Sequence, residues 1–146
     1  MQPLLSVLAL FAGISLTIQV GVNAALRKAL GNPMMAAFVS FLVGLIGLAL
    51  YLAVTKASVP PRTALASAPA WVWAGGLLGA FYVAATIILG PRLGAATLLA
   101  LSVLGQLLAS LLVDQYGWLG FPQHSITLAR LLGAVLLFGG VLLIAR

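Results

Sequence analysis

Five apolar runs, each close to the roughly 20 residues that cross a hydrocarbon core of about 30 Å, occupy nearly the whole sequence. They cover residues 4–26, 34–54, 70–90, 94–113 and 126–145, and nearly all the charge lies in the short clusters between and beyond them. With 64% hydrophobic residues, 5% charged and a mean hydropathy of +1.25, the chain departs from the roughly 25% charge of soluble domains. A soluble globular fold is excluded, and an all-α integral membrane protein with five transmembrane helices is expected. The sequence has no cysteine, one histidine and one acid, which leaves neither thiolate chemistry nor a catalytic dyad. No enzyme, metal site or cofactor is expected. The net charge of +6 is spread beside apolar spans, so the cations read as topology determinants and lipid contacts rather than a nucleic-acid surface.

Breakers set the boundaries. The first run is read as a span rather than a cleaved leader, because no basic segment precedes it and its apolar stretch is longer than such leaders use. Arg27-Lys28 closes it, and Gly31-Asn32-Pro33 starts the second, with proline placed where a first helical turn tolerates it. Thr55 to Pro69 contains Pro60-Pro61-Arg62 and reads as a linker. Trp71 and Trp73 mark headgroup level at the start of the third span. Gly90-Pro91-Arg92-Leu93-Gly94 should turn the chain tightly, making the third and fourth spans antiparallel neighbours. Tyr116, Trp118, Phe121 and Pro122 suit an interfacial segment. The fifth span is expected to start near Ile126, with Arg130 in its first turns.

Five spans put the termini on opposite sides of the bilayer. Lys56, Arg62 and Arg130 fall on the side of the N-terminus, and Arg27, Lys28, Arg92 and Arg146 on the other. Orientation follows this bias, so a near tie specifies insertion weakly. Either Arg27-Lys28 decides a single orientation, or both orientations are made. In the second case, a chain without an internal inverted repeat obtains two-sided symmetry by pairing with an inverted copy of itself. The expected assembly is an antiparallel ten-helix homodimer, or a pair with a homologue.

Polar residues at depth are the informative ones. Ser15, Gln19 and Asn23 recur every four residues in the first span, and Ser102, Gln106, Ser110 and Asp114 do so in the fourth. An amide in hydrocarbon needs a partner, so these stripes face protein or water, either as interhelical glue or as a ligand site. Gln19, Asn23, Ser40, Trp73, Tyr82 and Gln106 are the candidate substrate-binding residues. Gly75 and Gly79 permit close helix packing, and Gly133 and Gly140, a heptad apart, suggest a dimer-packing face. Arg92, in the tight turn, can reach carbonyls at the end of the third span, lipid phosphate or an anionic substrate. Asp114 is either a solvated or Arg-paired interfacial acid, or part of a gating ion pair with Arg130 or Arg92. No carboxylate lies at depth for a cationic substrate and a proton to share, so neutral, zwitterionic or anionic substrates are favoured.

The blocks Gln19-Val20-Gly21-Val22-Asn23-Ala24-Ala25-Leu26, Gly31-Asn32-Pro33 and Ser40-Phe41-Leu42-Val43-Gly44 open a longer pattern. It continues in Trp73-Ala74-Gly75-Gly76-Leu77-Leu78-Gly79-Ala80-Phe81-Tyr82-Val83, Pro91-Arg92-Leu93-Gly94-Ala95-Ala96, Gly105-Gln106 with Asp114, and Arg130-Leu131-Leu132-Gly133. In this order the blocks resemble the YdcZ-type proteins of the drug/metabolite transporter superfamily over essentially the whole chain. The resemblance implies a short five-helix transporter of the bacterial inner membrane that must pair to function. It implies transport without naming the cargo, and the expected function is alternating-access transport of a small-molecule metabolite. The four-helix multidrug exporters of that superfamily carry a glutamate in their first helix, where this chain has Gln19 or Asn23 nearby. Two rivals remain from the residues alone: a dual-topology channel lined by hydroxyl and amide side chains, and a non-transporting membrane adaptor.

Overall fold

The computed structural model describes residues 2–146, and the fold is entirely helical. Helix α1 is Gln2–Leu30, α2 is Pro33–Val54, α3 is Arg62–Ala66, α4 is Ala74–Leu93, α5 is Ala95–Tyr116 and α6 is Leu128–Ile144. Among the described residues, four helical segments are long and apolar enough to cross a membrane: Pro3–Leu30, Pro33–Val54, Ala70–Leu93 and Ala95–Tyr116. Helix α6 is apolar but shorter, at 17 residues. The helices gather in two compact units, residues 1–91 and residues 92–146.

In the first unit, α1 runs past its expected end through Arg27-Lys28. Gly31 then takes a left-handed conformation, φ 68°, with its N–H donating to the Arg27 carbonyl at 2.9 Å. Asn32 caps α2, its side-chain oxygen accepting from the N–H groups of Met34 at 2.8 Å and Met35 at 3.2 Å, and Pro33 occupies the first turn. The linker expected from Thr55 to Pro69 contains the short helix α3, because helix-forming residues follow Pro61, which is fixed in an extended conformation. Residues Ala70–Trp73 form a 3-10 turn, so the α-helix of the third span starts at Ala74 and both tryptophans precede it.

The turn expected over Gly90 to Gly94 shrinks to Gly94, since α4 continues through Pro91 to Leu93. A proline inside a helix leaves the carbonyl four residues earlier without its N–H donor. That carbonyl belongs to Ile87, and Arg27 Nη1 donates to it at 2.9 Å. The bond joins α1 to α4 where the unit is best packed. Val20 and Asn23 of α1, Ala36 and Ala37 of α2, and Val83, Thr86 and Ile87 of α4 are buried there. Leu26, Tyr82 and Ala84 pack around the cluster of Ala36, Ala37, Val83 and Ile87. These residues lie in the second half of α1, the first half of α2 and from the middle of α4 onward. The opposite halves of α1 and α2 are exposed, and so is most of the start of α4, where a Cβ at Gly79 would lie 3.6 Å from the Phe41 ring.

The second unit is a pair of helices with a folded connection. Leu98, Leu104 and Leu111 of α5 are buried, as are Ala134 and Val141 of α6. Gly117 ends α5 in a left-handed cap, φ 62°, where a Cβ would meet the Gln123 Cβ at 3.4 Å. Gln115 holds the connection from both directions. Its backbone carbonyl accepts from Gln123 Nε2 at 2.9 Å, and its side-chain oxygen accepts from the Ile126 N–H at 2.6 Å. Ile126 is thereby kept out of α6, which starts two residues later than expected behind Thr127, whose hydroxyl accepts from the Arg130 N–H at 3.3 Å.

Arg27→Met should therefore destabilise the protein by about 1.5–3 kcal/mol, the range for a hydrogen bond from a charged donor. Pro91→Ala restores an N–H for Ile87, and in that background Arg27→Met should cost at least about 1 kcal/mol less. Denaturant titration in detergent of the two single variants and the double variant measures the coupling; additive costs would contradict the link.

Candidate functional site

The site-forming part of the first unit begins at the edge of its buried end. One helical turn beyond Ala37, Ser40 faces a crevice of about 310 Å³ between α1 and α2, lined by Gln19, Ser40, Phe41, Gly44, Leu45 and Leu48. Gln19 and Ser40 are its two polar side chains, and neither makes a side-chain hydrogen bond among the described residues. Gly44 leaves the wall low, with nothing within 4 Å of where a Cβ would stand. The result is an apolar cleft with an amide and a hydroxyl, both free to hydrogen-bond a polar guest or a water.

Asn23 has a different environment from Gln19. It is 2% exposed on the packed side of α1, between Val20 and Arg27, and its amide makes no hydrogen bond among the described residues. Ser15, the third member of the four-residue stripe, is exposed and donates to the Ala12 carbonyl at 2.8 Å. The stripe is thus divided among a self-satisfied hydroxyl, an amide in a crevice and an amide on a residue packed inside. Tyr82 is half-buried against the core, and Trp73 is exposed in the turn before α4, outside the crevice. A second crevice of about 300 Å³, lined by Met34, Phe81, Ala84, Ala85, Ile88 and Leu89, carries no polar side chain.

In the second unit, Gln106 is exposed at mid-length of α5 with its amide unbonded among the described residues, while its carbonyl accepts from Ser110 Oγ at 2.7 Å. At the end of α5, Asp114 Oδ2 accepts from Arg130 Nη1 at 3.1 Å, the two side chains being 28% and 39% exposed. Arg130, and not Arg92, is therefore the partner of Asp114. Arg92 makes no hydrogen bond or ion pair among the described residues, and the carbonyl near the end of α4 that needs a donor is served by Arg27. Gly133 lines a crevice between α5 and α6, and Gly140 is half-buried; at neither would a Cβ meet another atom within 4 Å.

The family described as "Putative inner membrane exporter, YdcZ" matches residues 4–143. The chain belongs to this family. Its sequence is also 30% identical over 135 residues to the inner membrane protein YdcZ of Escherichia coli (strain K12), covering 92% of this chain and 90% of that one. No solved structure matches. The protein is accordingly a multi-pass bacterial inner-membrane protein of a YdcZ exporter family, which is not a family of enzymes.

Two residues escaped the reading of the sequence. Arg27 looked like a loop charge, although Pro91 does announce an orphaned carbonyl at Ile87. Gln115 stands in no motif, and nothing local marks it as the clamp of the connection.

Asn23→Leu removes an amide that makes no hydrogen bond among the described residues, from a side chain only 2% exposed, a change that is neutral or stabilising for a purely structural residue. Its melting temperature in detergent should match or exceed that of the unaltered protein. A clearly lower melting temperature would show that the amide holds the packed end of α1.

Proposed function

We propose that this YdcZ-family protein carries small neutral, zwitterionic or anionic metabolites across the inner membrane by alternating access, as a dual-topology homodimer. The observation that carries the reading is the crevice in which Gln19 and Ser40 stand with unbonded polar groups beside a closed helical end. Polar groups left free at membrane depth are costly in a packing role and useful in a binding role. Three helices joined at one end and exposed at the other make half of a pathway. An inverted copy supplies the other half, in the manner of transporters built from inverted repeats. Gln106, exposed at mid-length of α5, is the group that the inverted copy would contribute beside Gln19, with Tyr82 offering a hydroxyl nearby.

Charge selectivity follows from the residues available. Amide, hydroxyl and phenol groups bond neutral or zwitterionic solutes, and the only acid, at the end of α5, does not line the Gln19–Ser40 crevice, so a permanent cation finds no counter-charge there. Arg92, unpaired among the described residues, is the cation available to an anionic substrate at the mouth.

The reading is tested in proteoliposomes with metabolites of differing charge. Gln19→Leu and Gln106→Leu should each abolish saturable uptake while the protein keeps its dimeric elution volume; loss of folding instead would mark both as structural glue. Dual topology has its own test. Ser58→Cys, in a chain that has no other cysteine, should label only in part from outside, and two lysines added after Pro122 or after Arg146 should bias insertion oppositely and lower activity. Coexpression of the two biased variants should restore transport. Complete labelling or complete protection of Ser58→Cys with full activity would contradict inverted pairing.

A further inference from the structure

The end of α5 carries a group of features that the proposed transport site does not include. Asp114 and Arg130 meet through one carboxylate oxygen and one guanidinium nitrogen, and Arg130 Nη1 also points at the His124 carbonyl, 3.5 Å away. Asp114 Oδ1 and Arg130 Nε and Nη2 remain uncommitted among the described residues. A half-exposed ion pair adds little stability by itself, so its free valences are available to a ligand. Two crevices open on either side of Asp114. The larger, about 550 Å³, lies between α5 and α6 and is walled by Leu107, Leu111, Ala134 and Leu137, with Gly133 keeping it open. The smaller, about 160 Å³, is closed by Leu119 and Phe121 of the connection, and both share Ser110 and Asp114.

The depth of the site is set by its surroundings. Asp114 is two residues before the end of α5, and Arg130 is in the first turn of α6. The Tyr116 and Trp118 rings stack at 4.8 Å beside them and are exposed, as are Leu119 and Phe121. Exposed aromatic rings at the end of a spanning helix lie at headgroup level. Charges of both signs therefore stand at that level above two apolar crevices.

We propose that Asp114 and Arg130 bind the headgroup of one zwitterionic phospholipid with a primary ammonium, its acyl chains entering the crevices on either side of Asp114. The guanidinium presents two further nitrogens to the phosphate, which its planar fork suits. The ammonium donates to Asp114 Oδ1, a bond that a trimethylammonium headgroup, with no N–H, cannot form. An anionic lipid without an ammonium places its phosphate beside the carboxylate uncompensated. Helix α6, about 25 Å long at 1.5 Å per residue, is shorter than the hydrocarbon core, and a lipid held at its start fills the space its first turn leaves.

The test is native mass spectrometry of the delipidated full chain in detergent, titrated with phosphatidylethanolamine, phosphatidylcholine and phosphatidylglycerol of identical acyl chains. One phosphatidylethanolamine per chain should bind about tenfold more tightly than either of the others, the scale of one charge-assisted hydrogen bond. Asp114→Asn should reverse the preference in favour of phosphatidylglycerol, and Arg130→Gln should remove tight binding of both. Gly133→Leu fills the larger crevice where a Cβ meets nothing, so it should keep the lipid-free melting temperature and lose phosphatidylethanolamine binding. Equal binding of the three lipids, or tighter binding of phosphatidylglycerol by the unaltered chain, overturns the proposal. So does a Gly133→Leu variant that binds lipid normally but no longer dimerises, which would give the crevice to a second copy.

Discussion

The hydrogen bond from Arg27 to the Ile87 carbonyl organises the first unit. Its origin is covalent: Pro91 has no N–H, and a carbonyl deprived of its helical donor inside an apolar layer has no water to turn to. A guanidinium from the end of α1 supplies the missing donor and ties α1 to α4 there. The small side chains of Ala36 and Ala37 then let α2 pack into the same end, and Val83 and Ile87 fill what remains. With so little polar chemistry in the chain, one charged donor placed against one orphaned acceptor is enough to decide which end of three helices closes.

Closure at one end explains where the polar residues fall. Asn23 lies one turn from Arg27 and is drawn inside, whereas Gln19 lies a turn further on, where α1 and α2 have begun to separate and Ser40 faces it across a crevice. The second unit achieves its fixed geometry differently, through the Gln115 clamp, the Gly117 cap and the Asp114–Arg130 pair at the end of α5. The uncharged Gln19, Ser40 and Gln106 stand within the spans, and the charged Arg27, Asp114 and Arg130 stand near helix ends, where charge costs less than at mid-span.

Much of this was legible in the residues. Hydropathy and the Asn32-Pro33 signal locate α1 and α2 to within a few residues, and the YdcZ family follows from blocks of sequence in order. The misread boundaries share a cause. A proline near the end of a helix can be tolerated when the carbonyl it orphans finds another donor, and here that donor is 60 residues away in sequence. Likewise, α6 starts after Ile126 because the Ile126 N–H is held by Gln115, 11 residues earlier. The four-residue stripe of Ser15, Gln19 and Asn23 looked like one face, yet eight residues turn a helix about 80° past alignment, enough to carry its ends into different surroundings. Spacing identified the right residues without saying which of them the packing would bury.

The central claim is that α1, α2 and α4 close at the Arg27 end and leave Gln19 and Ser40 in a crevice open to a polar solute. A chain without cysteine allows it to be measured residue by residue with a water-soluble maleimide in membranes. Gln19→Cys and Ser40→Cys should react, Asn23→Cys should be protected, and adding Arg27→Gln should make position 23 reactive. Protection at 19 and 40, or labelling at 23 as fast as at 40 with Arg27 in place, would contradict the account.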